Sequence, residues 1–146
     1  MRALLSVDDK TGLIALARGL QDLGWELIAT DGTRAALAAE GVSTRSVEDI
    51  TGSPTLLDGR VKTLHPKVHA AILARRGNTK HMAELKEHAI EPIDLIAANL
   101  YPFREAAAAG ASGDALLEKI DIGGVTLLRA AAKNHNDVIV LSRPER

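Results

Sequence analysis

Short apolar runs alternate with amphipathic stretches along this chain, and the two periods separate into strands and helices. Ala3 to Val7 is apolar and opens onto the polar Asp8-Asp9-Lys10-Thr11-Gly12, the pattern of a buried strand followed by a loop. From Leu13 the apolar residues Leu13, Leu16, Ala17, Leu20 and Leu23 recur at helical spacing and stop at Gly24, a favourable helix end. Trp25 to Ala29 predicts a second strand, Thr30-Asp31-Gly32-Thr33 a second polar loop, and Arg34 to about Glu40 a second helix. A weaker strand is expected near Ser43 to Val47. Residues 48–65 mix Gly, Pro, Ser, Thr and charge without a period and read as a long functional loop. Beyond them, 67–76 and 79–88 predict helices, Asp94 to Asn99 a buried strand, and Leu116 to Ile120 the end of another helix. Val125 to Ala132 is apolar and Ala-rich, and Asp137 to Leu141 supplies a closing strand. Ala106 to Ala111 is locally biased in composition, and no internal repeat is evident.

Strands and helices in alternation predict an α/β fold, with a mostly parallel sheet covered by helices on both faces and ligands bound outside the carboxyl ends of the strands. With 146 residues, one domain spanning residues 1–146 is the expectation. Trp25, Tyr101 and Phe103 are the only aromatic residues, so Ala, Leu, Ile and Val must fill the core. The 18 basic and 19 acidic side chains give no polycationic field for a nucleic-acid backbone, and a basic function has to be local. Cysteine is absent, which excludes disulfides, thiolate zinc sites and a cysteine nucleophile. No apolar run reaches membrane-spanning length and the amino-terminal run is too short for a signal peptide, so a cytoplasmic protein is expected.

Four segments carry candidate chemistry. Ser6 to Thr11 and Thr30 to Thr33 each follow a strand and precede a helix, so helix-start amides, Thr hydroxyls and Lys10 can converge on a phosphate. The same residues would equally serve as helix caps and a turn. In DGRVKTLHP, Asp58 to Pro66, an extended backbone would project Arg60 and Lys62 to one side as a two-cation clamp, with a solvated basic loop as the alternative. Asp121-Ile122-Gly123-Gly124 puts a carboxylate where an N-cap would lie, and paired glycines let a ligand approach the backbone. Lys133 follows three alanines, and little bulk around an ammonium favours acid or base work. His65 and His69 stand four apart, but Pro66 suits the first turn of a helix and leaves His65 outside it. No third ligand follows at a familiar interval, so no metal is expected.

With these residues in view the chain resembles the IMP cyclohydrolase domains of bifunctional purine-biosynthesis enzymes, which share the methylglyoxal-synthase-like fold, a three-layer α/β sandwich. The matching strings are SV-x-DKTGL at Ser6 to Leu13, DGRVKTLHP, NLYPF at Asn99 to Phe103, IDIGG at Ile120 to Gly124 and RAAAKNH at Arg129 to His135. The resemblance implies ring closure of 5-formamidoimidazole-4-carboxamide ribonucleotide to inosine monophosphate, without a cofactor. It also implies a homodimer and a link to a transformylase domain or protein. Carried over by position, Lys10, Thr30, Gly32, Thr33, Arg60 and Thr63 hold phosphate and ribose, while Asn99, Ile122 and Gly123 lie near the base. Ser6 and Val61 join this substrate-binding set. Lys62 and Tyr101 stabilise an oxyanion, and Asp121 and Lys133 move protons. A continuous helix from Asp121 to Lys133 would part their backbones by roughly 15 Å, so the helix is short or bent, or a second subunit completes the site.

Two positions depart from the family pattern. Asp8 stands where a small residue such as Ser is usual, and Asp31 where Gly is usual. Each adds negative charge beside the expected phosphate cradle, costing on the order of 4 kcal/mol at about 4 Å and an effective dielectric near 20 unless it turns away. A non-catalytic anion sensor of the same fold and methylglyoxal synthase are the rival readings. The Asp121 and Lys133 segments favour the cyclohydrolase.

Overall fold

The computed structural model describes residues 1–145, and its sheet is built from five short strands in the order β3-β2-β1-β4-β5. The strands are β1 (Arg2–Ser6), β2 (Glu26–Ala29), β3 (Arg45–Ser46), β4 (Leu95–Ala98) and β5 (Ile139–Leu141). Every pairing between them is parallel. The helices are α1 (Leu13–Asp22), α2 (Asp31–Ala39), α3 (Val47–Thr51), α4 (Pro66–Leu73), α5 (Thr79–Glu87), α6 (Phe103–Ala108), α7 (Gly113–Leu117) and α8 (Gly123–Lys133).

The period of two along the strands divides the core into two layers. Leu4 pairs across the sheet with Ile28 and Ile96, and these three pack with Val68 and Ile72 of α4 and Leu127 of α8. Their neighbours Ala3, Leu5, Leu27 and Leu95 point the other way and pack with Leu13 and Ala17 of α1 and Leu37 of α2. The sheet is therefore apolar on both faces, as a parallel sheet covered by helices requires. The core is aliphatic as expected: Trp25 is half-buried, and Tyr101 and Phe103 are exposed. Among the described residues no helix is long and apolar enough to cross a membrane.

The chain runs outward from β1 through β2 to β3, then returns to place β4 and β5 on the other side of β1. The strand order thus reverses between β1 and β4, and a crevice opens there at the carboxyl ends of the strands.

Several boundaries differ from the sequence reading. Residues 48–65 are not a featureless loop. Ser46 and Asp49 form a reciprocal capping box, Asp49 N–H to Ser46 Oγ at 3.1 Å and Ser46 N–H to Asp49 Oδ2 at 2.9 Å, which starts α3. Five residues are too few for the apolar period to register. Leu57–Gly59 is a 3-10 turn closed by a backbone bridge between Leu56 and Val61. The helix expected from Arg34 starts at Asp31, because Thr30 is extended and opens it. β3 shrinks to two residues, α4 stops at Leu73, and the helix expected to end at Ile120 stops at Leu117. Part of the Ala-biased segment is α6, which has no buried residue and so no core-facing stripe to betray it.

Candidate functional site

The crevice between β1 and β4 is the mouth of a cavity of about 740 Å³, the size of a small-ligand site. Its floor is assembled from the loops that follow β1, β2 and β4. Asn99, just past β4, accepts the amides of Asp8 (2.6 Å) and Asp9 (3.0 Å) on Oδ1 and donates to the Asp9 carbonyl (2.7 Å). That locks the loop after β1. Thr33, 1% exposed, accepts the Val7 amide at 3.0 Å and donates to the Val7 carbonyl at 3.2 Å, joining α2 to the same loop. The Thr30 hydroxyl lies 3.3 Å from that of Ser6. Lys10 folds back onto the carbonyls of Val7 (3.4 Å) and Asp8 (3.1 Å). Asp9 caps the Thr11 amide at 2.9 Å, and this hydrogen bond holds its carboxyl below the usual carboxylate range.

One wall is the turn that precedes α4. Leu57, Asp58 and Gly59 have φ of 52°, 53° and 99°, and the turn they make presents the DGRVKT segment to the cavity. Arg60 is in the right-handed helical region, so 60–62 is not the plain extended segment that alternation assumed. Arg60 pairs with Glu118, and Lys62 with Asp31, on two different elements. His65 is the N-cap of α4, its Nδ1 accepting the Lys67 amide at 3.1 Å, and Pro66 is the first helical residue.

The facing wall is the start of α8. Ile122, and not Asp121, occupies the N-cap position, yet Asp121 Oδ1 still accepts the Gly124 amide at 2.6 Å. The paired glycines make close approach possible, but protein side chains make that approach. A Cβ on Gly123 would lie 2.7 Å from Thr63 Oγ1, and one on Gly124 would lie 2.7 Å from Asp121 Oδ2 and 2.9 Å from Leu100 Cδ2. Glycine at both positions lets Thr63 and Asp121 seat against the helix start.

Of the residues singled out from sequence, Ser6, Lys10, Thr30, Gly32, Thr33, Arg60, Lys62, Thr63, Asn99, Tyr101, Asp121, Ile122 and Gly123 line this one cavity. Two do not. Val61 spends its backbone on the bridge to Leu56, and Lys133 is exposed at the far end of α8, about 15 Å of helix rise from Gly123. Gly124, named from sequence with Gly123, lines it too, whereas sequence reasoning missed Lys119 and Glu118. Lys119 Nζ lies 6.0 Å from the centroid of the Tyr101 ring, a cation–π distance. No spacing rule links 101 to 119; only the fold brings them together. The lining is electrically balanced, with Lys10, Arg60, Lys62 and Lys119 against Asp8, Asp58, Glu118 and Asp121.

Residues 12–126 match the family model described as MGS-like domain. The chain belongs to this family. It is 52% identical over 143 residues to the bifunctional purine biosynthesis protein PurH of Lactococcus lactis subsp. cremoris, covering 98% of this chain and 28% of that protein. The PurH proteins of Cereibacter sphaeroides and Oenococcus oeni are 57% and 56% identical over 141 and 145 residues. The chain spans between 27% and 28% of the length of these curated relatives. A solved structure titled "Crystal structure of ForH" superposes with a TM-score of 0.85 at 42% identity, covering 99% of this chain and 74% of that one. The MGS-like α/β fold expected from the sequence motifs is thus the fold observed.

Proposed function

We propose that this chain is an IMP cyclohydrolase, closing 5-formamidoimidazole-4-carboxamide ribonucleotide to inosine monophosphate with loss of water. The observation that carries the reading is the convergence of Arg60, Lys62 and Thr63 with Asp121, Ile122 and Gly123 on one cavity at the carboxyl ends of β1 and β4. Relatives named as purine biosynthesis proteins, identical at more than half of the aligned positions, support it. Residues 1–146 act in this reading as one domain of a cytoplasmic homodimer. The formylated substrate comes from a transformylase, in the same or a separate polypeptide.

The carboxamide nitrogen attacks the formyl carbon of the same molecule, forming the C–N bond and a tetrahedral oxyanion. One proton from that nitrogen and one from the formamido nitrogen then leave with the oxygen as water. Holding the substrate in one rotamer removes most of the entropic barrier, and the protein's remaining tasks are oxyanion stabilisation and proton transfer. Lys10, Thr30, Gly32, Thr33, Arg60 and Thr63 hold phosphate and ribose, with Ser6 supporting them and Val61 acting from outside the cavity by closing the turn that carries Arg60 and Lys62, while Asn99, Ile122 and Gly123 flank the base. Lys62 and Tyr101 stabilise the oxyanion. Asp121 receives the proton of the attacking amide, and Lys133 assists the loss of water at the site of a second copy.

The exposed position of Lys133, outside the cavity, favours a second reading, an anion-sensing domain without turnover. An ultraviolet assay with the formylated ribonucleotide, run beside calorimetric binding of inosine monophosphate, separates the two. Turnover is expected. Binding without turnover would leave the sensor, and neither would sink both.

A further inference from the structure

Two ion pairs hold the cations of the turn, and their surroundings give them different weight. Both partners of the Arg60–Glu118 pair are more than half exposed, at 64% and 58%, so water and salt screen it. The Lys62 side chain is only 16% exposed, and its field reaches Asp31 with far less screening. Asp31 is the first residue of α2, where the helix amides and dipole favour a negative group. Its chain neighbours Thr30, Gly32 and Thr33 all line the cavity, as does Lys62. An anionic group entering between the start of α2 and Lys62 therefore meets a carboxylate that already holds that ammonium.

We propose that Asp31 is a specificity-determining residue, an internal counter-anion that competes with the phosphate of the ligand for Lys62 and so sets how tightly phosphorylated ligands are held. This rests on the reading of the cavity as a phosphate-ester site, and it gives Lys62, seated against the start of α2 beside Thr30, Gly32 and Thr33, a contact with the phosphate in addition to its oxyanion role. Binding exchanges one partner of Lys62 for another, which moderates affinity and eases departure of a phosphorylated product. Asp31 is itself exposed, so its carboxylate can turn to water without disturbing the core.

The test is calorimetric titration of the wild type, Asp31→Asn, Lys62→Met and the double variant with inorganic phosphate and with inosine monophosphate. Asn keeps the size of the side chain and removes its charge. If it lowers the melting temperature, Asp31→Ser, which also removes the charge, replaces it. Asp31→Asn is expected to bind both anions about fivefold more tightly, the order of one ion pair with a single exposed partner, and to bring no gain when Lys62 is Met. Equal affinities in wild type and Asp31→Asn overturn the proposal, as does a gain that persists without Lys62. If phosphate binding tightens while inosine monophosphate binds to no variant, Asp31 keeps its role and the nucleotide reading falls. If neither anion binds to any variant, both are overturned.

Discussion

His69 shows how a single side chain behind the site couples it to pH. Burial pushes its imidazole below the ordinary histidine value, while a hydrogen bond to the Thr63 backbone acts in the opposite direction, and its Nε2 is buried without a partner. The folded state therefore favours the neutral ring. The unfolded chain, titrating near 6.5, binds the proton more readily, so stability falls as pH drops through and below that value. Melting temperatures measured between about pH 7.5 and about pH 5.5 should decline, and His69→Gln, which cannot titrate there, should decline less. Identical slopes would remove the assignment. At this scale much of the site was legible: Arg60, Lys62 and Asp121 are residue types with few roles in a loop other than solvation or chemistry. Their partners were not, because nothing local joins Asp31 to Lys62 or Glu118 to Arg60.

Helices α1 and α8 each contain glycine, and the same substitution should have opposite outcomes in them. At Gly19 of α1 an added Cβ meets nothing within 4 Å, so Gly19→Ala should stabilise the protein by about 0.5–1 kcal/mol through the unfolded chain and helix propensity. At Gly124 the Cβ would press on the Asp121 carboxylate and Leu100, and overpacking of this kind costs about 1–3 kcal/mol. Gly124→Ala should lower the urea midpoint, displace Asp121 and reduce turnover at least about tenfold. A variant as stable and active as Gly19→Ala would contradict this placement. Among the elements, those with a buried stripe were readable in advance, such as α1 with Leu13, Ala17 and Leu20 buried at helical spacing. The short α3 and the core-free α6 were not, since one depends on a cap and the other turns no residue inward.

Across the whole molecule the open question of Asp121 and Lys133 has taken a definite form. α8 is continuous from Gly123 to Lys133, so one chain cannot bring both residues to one small ligand in the cavity. If Lys133 serves the cavity of a second copy, mixing the inactive variants Asp121→Ala and Lys133→Ala should restore about a quarter of wild-type turnover, because half of the dimers are mixed and each has one intact site. No recovery on mixing would leave Lys133 without a role in the reaction. The order of strands and helices, the aliphatic core and the chemically marked loops were written in local sequence, because apolar period and loop composition are properties of neighbours along the chain. Which loops meet, which carboxylate holds which cation, and that the glycines admit Thr63 and Asp121 depended on the parallel sheet. Those contacts join residues far apart in sequence, and they exist only once β1 has β2 on one side and β4 on the other.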